Sequence, residues 1–343
     1  MTNPGQSLPC PVCDGDAEIV TTEQPGYQRP TLFSIAQCGT CGAAHALPLE
    51  TSAAVYELIY SQASLLPGYD RYARYASQIR RAGDPLAYLG AQEDVYWAVS
   101  RYLAEREPAR TGPVLEVGCG LGYLTYAMRQ RGYDATGIDV SNEAIARARD
   151  RYGPFYEAAD VTVLAKSDPA RVDLVVMTEV IEHLPDFYSV MRAVRDLLRD
   201  GGEAVLTTPN RSVYSRNLVW ETDPPPVHLW WFTEDAMREM AARLGMRIRF
   251  IDFAPLNERY APLLPGANSA GLTRGAMFDE GGTLLVPSGP VRRFLPVGSI
   301  YGFVAKTLAR WTAFRRKLLK QPDPQAGRRG TLCAVLTKVG AST

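Results

Sequence analysis

The sequence predicts an α/β fold: a doubly wound sheet, preceded by a small cysteine-bearing module and interrupted near its end by a long insertion. Three observations predict it. Residues 114–125, VLEVGCGLGYLT, read as a strand, a glycine-dense turn and a helix start, and the TGID that follows closes a second strand on Asp139. Further segments supply strands for the same sheet: 155–161, ending near Asp160; the continuous apolar start of 172–184, before its polar end; the last part of 197–210, after a helix end and a Gly-Gly turn; and 246–253, with 330–339 as the last. Two C-x2-C pairs lie in the first 50 residues.

Residues 1–50 come first. Cys10 and Cys13 form one pair, Cys38 and Cys41 the other, with 24 residues between them and Gly15 and Gly42 close behind. Two such knuckles present four thiolates tetrahedrally, the geometry that Zn2+ accepts in closed structural sites. Residues 18–37 alternate as strands around a Pro25–Gly26 turn, so a zinc ribbon is expected. Its zinc would fold the module outright, a structural site contributing on the order of 10 kcal/mol in small peptides. Two disulfides are the alternative, but cysteine usage elsewhere fits a reducing compartment. A thioredoxin-type pair lacks its strand and helix pattern. His45 could compete as a ligand, although four cysteines already complete the site. Cys119, inside the glycine turn, and Cys333 read as small apolar fillers rather than nucleophiles.

Residues 51–107 read as helices, a lid or linker before the core. Tyr69, Tyr72 and Tyr75 recur every third residue, which puts them near one helix face. An aromatic packing stripe is the plain reading. Residues 94–107 form the expected helix before the first core strand.

In the core, residues 108–254, the glycines fall at Gly118, Gly120 and Gly122, giving G-x-G-x-G and not the G-x-G-x-x-G of a dinucleotide site. Position 123 is Tyr, and Glu116 stands on the strand two residues before the first glycine. A buried carboxylate there would repel a pyrophosphate. It suits a ligand carrying an ammonium and a sulfonium, as S-adenosylmethionine does. Asp139, 17 residues after Gly122, would then accept hydrogen bonds from the two ribose hydroxyls.

E-x-G-x-G-x-G resembles motif I of the class I methyltransferases. The E-x-I-E-H-L after the fourth strand and the Gly-Gly turn before TTPN resemble the ubiquinone-biosynthesis O-methyltransferases among them. The resemblance covers roughly residues 90–250 and the final strand. It implies a Rossmann-like seven-stranded doubly wound sheet whose last strand is antiparallel, with the insertion, residues 255–329, as a cap between the last two strands and residues 330–343 as the terminal core strand. It implies cofactor contacts at Glu116, Gly118, Cys119, Gly120 and Gly122, at Asp139 and Val140, at Asp160 and Val161, and at Thr178 and Glu179, with Asp160 near the adenine amino group. It also offers the helices of 51–107 a second role, covering the methionine end of the cofactor. The ribbon resembles, more loosely, the zinc modules of some bacterial sugar and natural-product methyltransferases.

Methyl transfer is an in-line displacement, so such an enzyme supplies proximity and alignment. A base is needed only where the acceptor carries a proton that must leave. His183, in the EHL segment at the carboxyl end of the sheet, is one candidate, and His228, in the aromatic loop 224–232, is the other. Glu179 and Glu182 are further candidates; Glu182 could orient His183, although neighbours at a helix start diverge.

Charge narrows the partners. The 343-residue chain has a formal net charge of zero, which gives no global argument for nucleic acid. Residues 1–60 carry Arg29 against six acidic residues, and residues 291–330 carry ten basic residues against Asp323. A module with a single Arg is poorly equipped to bind phosphates. The stretch from Ile300 to Lys320 reads as a basic amphipathic helix, which could touch a membrane surface, gather a phosphorylated substrate, or pack on the domain. No apolar stretch approaches a membrane span and no signal peptide opens the chain, so a cytoplasmic enzyme is expected. Its expected acceptor is a small molecule, such as a sugar, a lipid-linked precursor or a natural-product intermediate, methylated on oxygen, with no nucleic acid involved. An RNA methyltransferase using the ribbon, and a non-catalytic scaffold of the same fold, are the alternatives.

Overall fold

The computed structural model describes residues 4–66, 68–213, 223–259, 275–285, 311 and 327–340. The ribbon comes first, as β1 (Ser7–Pro9), β2 (Asp16–Pro25), β3 (Leu32–Cys38) and β4 (Ala44–Leu47), paired antiparallel in sequence order. β2 alternates buried and exposed residues at its start, the mark of a strand with one face on a core. The expected Pro25–Gly26 turn is wider than the dipeptide suggests: the Gly26 N–H donates to the Thr31 carbonyl at 2.8 Å, so a loop of several residues joins β2 to β3.

Four helices follow: α1 (Ala53–Ser61), α2 (Asp70–Gln78), α3 (Pro85–Gly90) and α4 (Asp94–Leu103). Ser52 caps α1 through its hydroxyl, accepting from the Val55 N–H at 3.3 Å, and the Asp84 carboxylate caps α3, accepting from the Ala87 N–H at 3.1 Å. α4 stops at Leu103, short of the expected Glu107, because its apolar face of Val95, Val99, Tyr102 and Leu103 ends there. Tyr69 lies just before α2 rather than on it, while Tyr75 is buried in the core and Tyr72 packs at its margin.

The core alternates strand and helix: β5 (Val114–Val117), α5 (Tyr123–Gln130), β6 (Ala135–Asp139), α6 (Asn142–Tyr152), β7 (Tyr156–Ala158), α7 (Val161–Ser167), β8 (Val172–Thr178), α8 (Phe187–Leu197) and β9 (Leu198–Pro209). A two-residue strand, β10 (Trp230–Trp231), precedes α9 (Glu234–Arg243), β11 (Met246–Phe250), α10 (Ala254–Arg259) and β12 (Thr331–Lys338). The seven-stranded sheet runs β11-β12-β9-β8-β5-β6-β7. β5 to β9 are parallel, and β12 inserts between β9 and β11 antiparallel to both. The strand order reverses at β5 and β8, whose central residues are almost wholly buried under helices on both faces. Ligands of such sheets sit beyond the carboxyl ends of the strands at that reversal.

β10 joins the ribbon rather than the core sheet. It pairs antiparallel with β4, Trp230 opposite His45 and Trp231 opposite Ala44, making the ribbon sheet five-stranded. No helix among the described residues is long and apolar enough to cross a membrane. Of the expected amphipathic helix from Ile300 to Lys320, only Trp311 falls within the described residues.

Candidate functional site

The turn between β5 and α5 forms the floor of the crevice. Gly118 has φ +74°, and a Cβ there would come within 2.6 Å of the Val180 side chain; Gly120 has φ +49° and faces open space. Only glycine takes these conformations without strain, and at Gly120 the open side leaves room for a ligand against the backbone. The turn is laced to β6, since the Gly118 and Cys119 N–H groups both donate to the Ile138 carbonyl. The Tyr156 hydroxyl donates to the Gly122 carbonyl at 2.8 Å.

Asp139 ends β6 facing this turn. Its two oxygens accept from the Gly120 and Ser141 N–H groups, each at 2.9 Å, so the carboxylate is fixed while keeping lone pairs for a ligand. Glu116 is 2% exposed and accepts a short hydrogen bond from the Thr125 hydroxyl. Burial pushes its carboxyl up to about 8, against the pull of that hydroxyl. Val140, beside Asp139, is 77% exposed, an apolar surface at the mouth of the crevice. Asp160 caps α7, one oxygen accepting from the Thr162 N–H and hydroxyl at 2.7 Å; these bonds hold its carboxyl below the usual range. Val161 follows, buried, and Cys119 is buried inside the turn.

An open backbone cradle at Gly120, a fixed carboxylate for a diol, an exposed apolar side chain for a flat ring and a buried carboxyl short of a cation together fit S-adenosylmethionine. Bound there, it would supply a methyl group on a positively charged sulfur.

The end of β8 forms the other half. After Thr178, Glu179 takes φ +54°, uncommon for a residue with a Cβ and the kind of strain that clusters at functional sites. Its N–H donates to both the carbonyl and the hydroxyl of Thr207. One Glu179 oxygen is buried with no hydrogen-bond partner among the described residues, and burial, with the Glu93 charge, pushes its carboxyl up to about 7. Glu182 is fully buried; one oxygen accepts from the Thr208 hydroxyl at 3.0 Å and the other has no partner among the described residues. Burial holds its carboxyl well above the ordinary range.

The structure brings His183 and His228 together, their rings T-shaped with centroids 4.7 Å apart. Glu182 does not diverge as expected: one polar atom from each of Glu182, His183 and His228 lies within 4.8 Å of the others. Nδ1 of His183 lies 2.8 Å from the Val227 carbonyl. A carbonyl only accepts, so Nδ1 carries the hydrogen and Nε2 keeps its lone pair. Burial lowers the His183 pKa, which holds the ring neutral at pH 7.

Three groups around this half carried no signal in the sequence. Tyr56, on α1, places its hydroxyl 3.4 Å from His183 Nδ1. Tyr60, one turn on, feels the charge of Asp139, so α1 spans both halves of the crevice. Arg71 on α2 pairs with Glu93 at 2.9 Å and acts on Glu179 as well, while the Tyr75 hydroxyl donates to Glu93 at 2.7 Å. The Tyr75 ring packs edge-on against Tyr96 and Tyr123, as an aromatic packing stripe does.

The four cysteines form a second centre. Cys10 and Cys41 sulfurs lie 3.8 Å apart and Cys13 and Cys38 sulfurs 3.5 Å, all four within 4.8 Å of one another. Zinc–sulfur bonds of about 2.3 Å in a tetrahedron place sulfurs about 3.8 Å apart, whereas a disulfide requires about 2.05 Å. Backbone N–H groups of Val12, Thr40 and Cys41 point at the sulfurs of Cys10 and Cys38, as thiolates require. The set fits a structural zinc. His45 stands apart from it, its ring tilted against Trp230 with centroids 5.3 Å apart.

Part of this chain is similar to known proteins. A family described as "Methyltransferase domain" matches residues 89–249. A ubiquinone biosynthesis O-methyltransferase of Pseudomonas paraeruginosa is 37% identical over 116 residues, 32% of this chain and 50% of that protein. One from Alkalilimnicola ehrlichii is 32% identical over 164 residues, 43% of this chain and 66% of that protein. The chain thus spans about half to two thirds of the length of these curated relatives. A methyltransferase structure from Archaeoglobus fulgidus aligns with a TM-score of 0.45 at 15% identity, covering 78% of this chain and 99% of that one. Residues 89–249 are a class I, S-adenosylmethionine-dependent methyltransferase domain.

Proposed function

We propose that this protein transfers the methyl group of S-adenosylmethionine to a hydroxyl oxygen of a small-molecule acceptor, with His183 as the base. The observation that carries the reading is the His183–Val227 hydrogen bond, which leaves a neutral imidazole with a lone pair on Nε2 at the carboxyl end of β8. Oxygen as the target draws support from relatives named O-methyltransferases. Sugars, lipid-linked precursors and natural-product intermediates all offer such hydroxyls.

Gly118, Cys119, Gly120 and Gly122 would cradle the cofactor, Asp139 its ribose, Val140 and Val161 its adenine flanks, and Asp160 the adenine amino edge. Glu116, Thr178 and Glu179 would face its cationic end. The acceptor O–H proton passes to His183 Nε2, forming an imidazolium that the Val227 carbonyl continues to orient; from there it leaves to water. His228, edge-on to His183, and Tyr56 hold the acceptor's position. The ribbon's single basic residue, Arg29, supports a small molecule over RNA.

Incubation with methyl-labelled S-adenosylmethionine and panels of phenols, catechols, sugars and polyols tests the reading. His183→Asn keeps a donor for the Val227 carbonyl and removes Nε2, so it should abolish labelling of the accepted class while leaving cofactor affinity unchanged. Unchanged labelling in His183→Asn would remove His183 as base, and label appearing only on RNA would overturn the acceptor class.

A further inference from the structure

We propose that the zinc ribbon is the positioning element for the base: by clamping the segment 223–233 along its length, it sets the tautomer of His183. This rests on the reading of His183 as base, but the geometry stands by itself. Four contacts run from the ribbon to this segment. The Tyr27 N–H donates to the Pro225 carbonyl at 2.7 Å, and the Ala46 N–H to the Leu229 carbonyl at 2.9 Å. Trp230 and Trp231 pair with His45 and Ala44 as the fifth strand of the ribbon sheet. The Thr233 hydroxyl, which also caps α9, donates to the carbonyl of the zinc ligand Cys41.

The same segment grips the active crevice from its other side. The Val227 carbonyl accepts from His183 Nδ1, the Leu229 N–H donates to the Glu182 carbonyl at 2.8 Å, and the Trp230 indole donates to the Leu184 carbonyl at 2.8 Å. Each residue of the EHL sequence is therefore tied to a segment that the ribbon holds in place. The ribbon also reaches the β2–β3 loop across to the insertion, where the Tyr27 carbonyl accepts from the Met277 and Phe278 N–H groups. Tyr27, Val55, Ile59, Leu66, Val227 and Phe278 close a separate small core there.

Among the described residues no hydrogen bond from the ribbon reaches Gly118, Cys119 or Asp139, although Val12 and Ile19 share one buried cluster with Leu115, Val117 and Ile138. Gly118, Cys119 and Asp139 are braced by β6 and by the turn itself. Loss of zinc should loosen the ribbon, a module this small depending on its metal even where its buried residues join the main core. It should then release the Val227 carbonyl and free His183 to exchange tautomers, with the cofactor half intact. Zinc in this protein would act on base placement without approaching the acceptor.

The test uses the full chain, labelled with 15N at histidine, and long-range proton–nitrogen correlation spectra of its three rings. With zinc bound, His183 should show a protonated Nδ1 and a pyridine-like Nε2. After chelation, with four reactive thiols counted, its two nitrogens should average, while calorimetry gives an S-adenosylmethionine Kd within about threefold of the zinc-bound value. Ala46→Pro provides the second arm: it keeps all four cysteines and removes the N–H that Leu229 accepts. That variant should retain one zinc per chain and cofactor binding, yet show the averaged His183 signals. If chelation also abolishes cofactor binding, Ala46→Pro decides: averaged signals support the proposal and an unchanged tautomer overturns it. An unchanged His183 spectrum in zinc-free protein, or a protonated Nε2 in the zinc-bound wild type, overturns it directly. None of these readouts requires methyl transfer, so a different base would fail the labelling experiment and leave this one standing.

Discussion

Replacing Glu116 by Gln removes a charge from a place that resists one. Burial pushes this carboxyl from 4.5 to about 8 in the folded, ligand-free protein. A carboxyl whose folded pKa lies above its unfolded value binds more protons when folded, so its effect on stability is nil below the unfolded pKa and increasingly unfavourable as pH rises towards the folded one. Each pH unit across that window costs about 1.4 kcal/mol, so between 4.5 and 7 the wild type loses about 3 kcal/mol. Gln keeps an oxygen for the Thr125 hydroxyl but brings an extra buried N–H, worth about 1 kcal/mol against it. The zinc-loaded, cofactor-free variant should therefore match the wild type near pH 5 and exceed it by about 2 kcal/mol at pH 7 in urea unfolding. Its affinity for S-adenosylmethionine should fall, because the cation loses its carboxylate, and the gain in wild-type affinity between pH 6 and 7 should vanish. A stability difference that is flat with pH, or a variant binding the cofactor as tightly as the wild type, would refute the reasoning.

Further predictions concern the β8 half. Because burial lowers the His183 pKa below its ordinary value of about 6.5, the ring stays neutral from pH 7 down to that region; turnover should be level at pH 7 and fall only on the acid side of about pH 6.5. With S-adenosylmethionine saturating, so that the ionisation of Glu116 does not limit binding, a half-point above pH 7 in the acid limb of kcat/KM for the acceptor would contradict this. Tyr56→Phe removes a hydroxyl 3.4 Å from His183 and should lower kcat by roughly 2- to 10-fold, an ordinary hydrogen-bond effect, with cofactor Kd unchanged in calorimetry. Arg71→Ala leaves Glu93 without its 2.9 Å partner beside Glu179, so α2 and α4 should loosen, seen as faster amide exchange in residues 70–78 and 94–103.

Much of the fold was legible because its signals are local. In β8, Leu174–Met177 is a continuous apolar run of the kind a strand covered on both faces shows, and the glycines of 118–122 mark a turn that needs left-handed backbone. The cysteine spacing carried the ribbon in the same way. What escaped was everything built by contact between distant elements. β10 is two residues long, too short for any periodicity, yet it decides that the ribbon grips the loop of His228. Tyr56 lies on a helix whose buried face is only Val55 and Ile59, so nothing in its sequence points at His183. Arg71 and Glu93 are ordinary surface residue types until α2 and α4 bring them together over Glu179. His183 and His228 could be named from the sequence, but their meeting 4.7 Å apart, and the Val227 carbonyl that sets a tautomer, belong to the tertiary structure.

The central claim is that the β5–β6 crevice is an S-adenosylmethionine site serving a separate base at the end of β8. Calorimetric titration of the zinc-loaded full chain with S-adenosylmethionine, beside Asp139→Ala and His183→Asn, tests it most directly. The account predicts one site per chain, weakened by about 1–3 kcal/mol, roughly 5- to 150-fold, in Asp139→Ala and unchanged in His183→Asn. No binding by the wild type, or equal affinity in Asp139→Ala, would contradict it.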